Sequence, residues 1–223
     1  MNVLYRDRIE GAHALADALI SYKGTNALIL AIPRGAVPMG EVIAERLDGE
    51  LDVVLVKKLR APGNPEFAIG AVDETGWVYL SPYAERAGAD ADYVAHECAS
   101  QLQTLIARRA SYTPDRPPIS PENRVAIVID DGLATGATMI AALHAVRSKA
   151  PSKLVCAVPV AAPESLEKVC PYADEIVWLH APASFYAVGQ FYSSFPQVED
   201  EEVIECLRRM EASRPIQPRT RTM

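Results

Sequence analysis

Five runs of apolar, largely β-branched residues recur along the chain, at 27–32, 51–56, Val125–Ile129, Lys153–Val160 and 175–179. Each reads as a strand; the unbroken run Val125–Ile129 reads as one covered on both faces, and 27–32 as a buried one. The segments between them change to helical spacing. Residues 5–22 place Ile9, Ala12, Leu15, Ala16 and Leu19 on one side, with Arg6, Asp7 and Arg8 solvated at the start. Val37–Leu47 follows, its Pro38 tolerated in the first turn. A long helix over 89–110 carries Tyr93, Cys98, Leu102, Leu105 and Ile106. Another runs from Met139 with Ile140, Leu143 and Val146, and shorter ones cover 164–169 and 199–210. Strands alternating with helices predict an α/β fold built on a parallel sheet with right-handed crossovers. One interval breaks the rhythm. After the turn-rich 61–66, residues 67–73 and 77–81 alternate around Glu74–Thr75–Gly76 and predict a β-hairpin. The Pro-rich 114–121 reads as an exposed connection.

Candidate chemistry concentrates at 125–139, VAIVIDDGLATGATM. A buried strand delivers Asp130 and Asp131, a loop of small residues and hydroxyls follows, and a helix begins. Such a loop and helix start make an anion site, with about half an elementary charge at the helix N-terminus. Gly136 allows close backbone approach, and Thr135 and Thr138 add donors. The two carboxylates must then face hydroxyls or a metal ion. There is no Walker lysine, no GxGxxG and no GxSxG. Two further groups stand at predicted strand ends: Pro33–Arg34–Gly35–Ala36, and Lys57, Lys58 and Arg60. Open α/β sheets bind ligands at the carboxyl ends of their strands.

Composition narrows the classes. The 223 residues and 49% apolar content suit one globular domain. A net charge of −7 disfavours nucleic acid as a partner. No leader or membrane span is expected, so the expectation is a cytoplasmic protein. Cys98, Cys156, Cys170 and Cys206 are too scattered for a disulfide framework or zinc site.

The apolar run, acid pair and ATGAT resemble the phosphoribosyl pyrophosphate (PRPP) motif of the type I phosphoribosyltransferases. The PRGAVP, KLRAPGNPE and FYAVGQFY segments look like those of uncharacterised bacterial members. The resemblance implies a parallel sheet flanked by helices, a β-hairpin flexible loop over the reaction centre and a small C-terminal hood. One domain over 1–211 is expected, with hood elements near 1–24 and 181–211 and a disordered tail at 212–223. It further implies transfer of the phosphoribosyl group from PRPP to a small nitrogenous base, with magnesium (Mg²⁺) and release of pyrophosphate. Asp130 and Asp131 would take the ribose hydroxyls and help hold the metal. Ala134, Thr135, Gly136, Ala137 and Thr138 would cup the 5′-phosphate. Arg34 and Gly35 would bind pyrophosphate, with Lys57 and Lys58 as further cations, and a cis peptide is expected at Pro33–Arg34. Phe185, Tyr186 and Val188 would stack on the base, with His180 near it and Glu66 in the lid. A homodimer is the family's common state. One departure is Ala134, where 6-oxopurine enzymes carry an Asp, which weakens a hypoxanthine or guanine assignment. The alternative is a non-catalytic PRPP- or nucleotide-binding regulator.

Overall fold

The computed structural model describes residues 3–213. Its strands are β1 (Leu28–Ala31), β2 (Glu50–Val53), β3 (Val56–Ala61), β4 (Asn64–Asp73), β5 (Val78–Leu80), β6 (Val125–Ile129), β7 (Lys153–Val160) and β8 (Glu175–His180). Its α-helices are α1 (Arg8–Ala18), α2 (Val37–Leu47), α3 (Ala91–Tyr112), α4 (Ala137–Arg147), α5 (Pro163–Val169) and α6 (Asp200–Ala212). The expected tail at 212–223 lies outside the described residues from 214 onward.

Five strands form a parallel sheet in the order β2–β1–β6–β7–β8. The absence of alternation in the central strands has its cause here, whereas the edge strand β8 has no buried residue and leaves Trp178 48% exposed. Ala126, Ile127, Val128 and Ile129 are all 0% exposed, because both faces of the sheet are covered. Helices α1, α2 and α6 pack on one face, while α4 and α5 pack on the other. Each fully buried Val, Leu or Ile in these layers contributes roughly 1.5–3 kcal/mol. β6 lies at the centre, so its carboxyl end opens where the connections diverge.

Four expectations need correction. The N-terminal helix begins at Arg8, not residue 5. Asp7 caps it by accepting from the Glu10 N–H at 2.9 Å, and Tyr5 instead bridges to Tyr192. The apolar run 51–56 is not one strand. β2 ends at Val53, and Val56 opens a separate antiparallel sheet in the order β3–β4–β5. Adjacent lysines cannot both be buried in a two-sided strand, so the chain leaves the parallel sheet before them. The turn-rich 61–66 therefore contains a tight reversal between β3 and β4, with Gly63 at φ +70°. On α3, Leu105 is buried but Ile106 is 55% exposed, so the apolar stripe is narrower than its spacing suggested.

The small antiparallel sheet packs between α3 and α4. Trp77 lies flat on His144, ring centroids 3.6 Å apart. Glu74 takes Arg109 of α3 at 3.0 Å and Lys149, just past α4, at 3.2 Å. Asp52 of β2, 1% exposed, receives Arg109 at 3.2 Å, Arg116 at 3.0 Å and the Ile119 N–H at 2.8 Å. The segment expected as a lid is thus docked on two helices. Its Glu66 side chain lies outside what the structure describes.

Candidate active site

The end of β6, the β1–α2 turn and the start of β3 meet around one cleft of about 340 Å³. Asp130 and Asp131 line it together with Gly132, Leu133, Ala134, Thr135, Gly136 and Thr138 of the loop that follows them, whereas Ala137 does not. Ile32, Pro33, Arg34, Gly35, Lys58, Met139 and Val188 complete the wall.

The loop is held from behind. The Leu133 N–H donates to Val160 O at 2.9 Å, and the Ala162 N–H donates to Leu133 O at 2.8 Å. The hydroxyl of Ser165, a buried residue of α5, donates to Ala134 O at 2.6 Å. With these attachments behind it, the loop presents Ala134 and Thr135 as exposed residues beside the cleft. Gly136 caps α4 at φ +85°, a backbone region that favours glycine. Gly132 has no room for a side chain, since a Cβ would lie 2.6 Å from a Val188 methyl.

The acid pair is arranged by its neighbours. Asp130 Oδ1 accepts from the Asp131 N–H at 2.9 Å. Asp131 Oδ2 accepts from Arg8 Nε at 2.8 Å, and the Tyr192 hydroxyl donates to Asp131 O at 2.7 Å. Burial, and then the charge of Asp131, push the Asp130 carboxyl well above its ordinary range. Burial also raises Asp131, and Arg8 opposes that rise.

Arg34 reaches the cleft across a cis Pro33–Arg34 peptide, as expected. Its guanidinium meets Glu199 at 3.1 Å and Asp200 at 3.9 Å, at the start of α6. An anion that took Arg34 would compete with these two acids. Lys58 lines the cleft, and its charge acts on Asp130. Lys57 does not line it. Successive strand residues face opposite ways, and its amine lies in the field of Arg108, Arg60 and Arg34. Burial first, and then those charges, lower its pKa.

Of the three expected base contacts, only Val188 lines the cleft. Phe185 packs on Phe191, centroids 5.0 Å apart, and Tyr186 is 85% exposed. Tyr186 and His180 instead border a separate hollow of about 540 Å³ on the hood, with Leu4 and Gln190. Gln190 holds that segment by accepting from the Tyr186 N–H at 3.0 Å and donating to Ser184 O at 2.9 Å. Phe185 is taken up by a neighbour in its own segment and Tyr186 faces solvent, so neither ring stands in the cleft wall.

Two residues at the site are not marked by the sequence. Arg8, expected at a solvated helix start, finds its partner 123 residues away. Tyr192 is one aromatic among several in its segment. No local pattern distinguishes either residue.

Two carboxylates share the cleft, and among the described residues no three His, Cys, Asp or Glu side chains gather as a metal site. That donor set fits a magnesium ion carried largely by substrate oxygens, which this ion prefers along with retained waters.

Residues 6–188 match the family model described as a phosphoribosyl transferase domain. Two curated proteins from Mycobacterium tuberculosis strains CDC 1551 and H37Rv, each named "Putative phosphoribosyl transferase", are 38% identical over 208 residues. The match covers 92% of this chain and 47% of each relative, so the chain spans about half the length of the curated relatives it matches. The crystal structure of TT1426 from Thermus thermophilus is 44% identical, with a TM-score of 0.79, over 93% of this chain and 99% of that one. The AQ2163 protein from Aquifex aeolicus, 15% identical with a TM-score of 0.50 over 82% and 76%, shares the fold.

Proposed function

Given that this chain belongs to the phosphoribosyltransferase family, we propose that it transfers the 5-phosphoribosyl group of Mg·PRPP to a nitrogenous base. One observation carries the reading. A carboxylate pair and a loop of small residues at a helix N-terminus line a single cleft, with Arg34 and Lys58 in its wall.

In this reading the loop 134–138 holds the 5′-phosphate, and Asp130 and Asp131 hold the ribose hydroxyls. Arg34, Gly35 and Lys58 face the pyrophosphate. The bond from C1 to the pyrophosphate oxygen breaks with its electron pair leaving on pyrophosphate. The acceptor nitrogen then forms the new bond to C1 and loses its proton. The sugar passes through an oxocarbenium-like state, so the protein acts by positioning and charge stabilisation and forms no covalent bond. Bound magnesium would neutralise charge on the departing pyrophosphate. Arg34's fork suits two phosphate oxygens at once, and to use it the residue must exchange Glu199 for them.

A second reading, a regulator that binds PRPP without turnover, is favoured by the placement of the expected base contacts, of which only Val188 lines the cleft while Phe185 and Tyr186 stand outside it. One experiment separates the two. Mg·PRPP is incubated with adenine, hypoxanthine, guanine, xanthine, uracil and orotate, and pyrophosphate release is followed. Release dependent on one base supports transfer. Binding of PRPP with no release for any base favours the regulator, and no binding refutes both.

A further inference from the structure

We propose that Arg8 is a positioning residue that sets the Asp131 carboxylate for the sugar diol and ties it to the seated hood segment 192–196. This rests on the ribose-binding role proposed above for the acid pair.

The Arg8 guanidinium is held at three points. Nε donates to Asp131 Oδ2 at 2.8 Å, and Nη1 donates to Pro196 O at 2.6 Å. Cζ lies 3.6 Å from the centroid of the Phe195 ring. A guanidinium held at three points has little freedom left, so its Nε fixes the position of Oδ2 in a way that a lysine ammonium cannot. With Oδ2 engaged, Asp131 Oδ1 has no hydrogen-bond partner on another described residue, and Asp131 lines the cleft. With no other described residue claiming it, that oxygen can accept from a ligand hydroxyl.

The two side chains are 12% and 15% exposed, so solvent screens the pair weakly. Three chain segments converge on it. Gly35 of the β1–α2 turn leaves so little space that a Cβ would sit 2.3 Å from Asp131 Oδ2 and 3.0 Å from Arg8 Nε. Tyr192 donates to the Asp131 carbonyl and stacks on Phe195, centroids 5.0 Å apart. The hood segment therefore grips both the backbone of Asp131 and the cation that orients its side chain. Displacing residues 192–196 would release Asp131 at both points.

The test compares two ligands on one protein. Ribose 5-phosphate engages both the phosphate loop and the acid pair, whereas inorganic phosphate engages the loop alone. Calorimetric titrations are run on wild type, Arg8→Gln, Arg8→Lys and Phe195→Leu. Arg8→Gln should lose about ten- to hundredfold in ribose 5-phosphate affinity, the size of one charge-assisted hydrogen bond. Its phosphate affinity should stay within twofold. Arg8→Lys should recover part of the loss, and Phe195→Leu should show a smaller loss of the same kind. If Arg8→Gln does not fold, the lysine and leucine variants decide by the same comparison. Equal losses for both ligands, or none for either, overturn the inference while the family reading stands. A wild type that binds ribose 5-phosphate no better than phosphate overturns the proposed ribose role of the acids and this inference with it.

Discussion

Replacing Gly35 by alanine tests the site without removing a functional group. Its φ lies outside the left-handed region, so the backbone accepts a side chain. The new methyl would stand 2.3 Å from Asp131 Oδ2, where ordinary contact begins at 3.4 Å. The carboxylate must retreat by about 1 Å. Its 2.8 Å bond to Arg8 Nε then exceeds the usual limit of about 3.2 Å and is lost. Charge-assisted bonds of this kind contribute about 1.5–3 kcal/mol, so ribose 5-phosphate and Mg·PRPP should bind roughly ten- to a hundredfold more weakly. Calorimetry measures this directly, with inorganic phosphate as the ligand that ignores the diol. Melting should fall by about 2–4 °C for each kcal/mol of ion pair lost. Gly24→Ala is the control. It meets nothing within 4 Å but sits at φ +74°, so it should lower stability and leave affinity alone. A Gly35→Ala protein that binds ribose 5-phosphate within twofold of wild type would refute the geometry.

Two further substitutions separate stability from binding. The folded Asp130 carboxyl lies above its ordinary pKa of 3.8, so the folded state holds that proton more tightly than the unfolded chain. Its contribution to stability is therefore complete below the ordinary value and is lost as pH rises through the raised one. Asp130→Asn should gain in melting temperature relative to wild type as pH rises from acid to neutral, while ribose 5-phosphate binding disappears; a pH-independent gap would contradict this. Asp52→Ala removes the buried partner that Arg109 and Arg116 share. Breaking such a pair costs about 3–5 kcal/mol, a fall on the order of 10 °C, with ligand affinity kept at temperatures where the protein is folded. Wild-type melting would show that Asp52 does not hold α3 and the 113–121 connection to the sheet.

The layered architecture, the acid pair at a strand end and the small-residue loop after it were legible along the chain. Each of these depends on neighbours in the chain. An unalternating run such as 126–129 belongs in a sheet covered on both faces. Small residues between that strand and α4 leave the backbone open to an anion, and Gly136 reaches φ +85° because it is glycine. The local chemistry of Lys57–Lys58 also bore information, since a two-sided strand had to end before them.

Which side chains share the cleft follows from packing in three dimensions. Arg8 meets Asp131 because α1, the β1–α2 turn and the hood converge, and no spacing rule relates residues 8, 35, 131 and 195. The hood aromatics carried the right composition for a stacking wall, but Phe185 found Phe191 and Tyr186 turned to solvent. Side-chain choice among several apolar partners follows from packing in three dimensions, which periodicity along one chain does not encode.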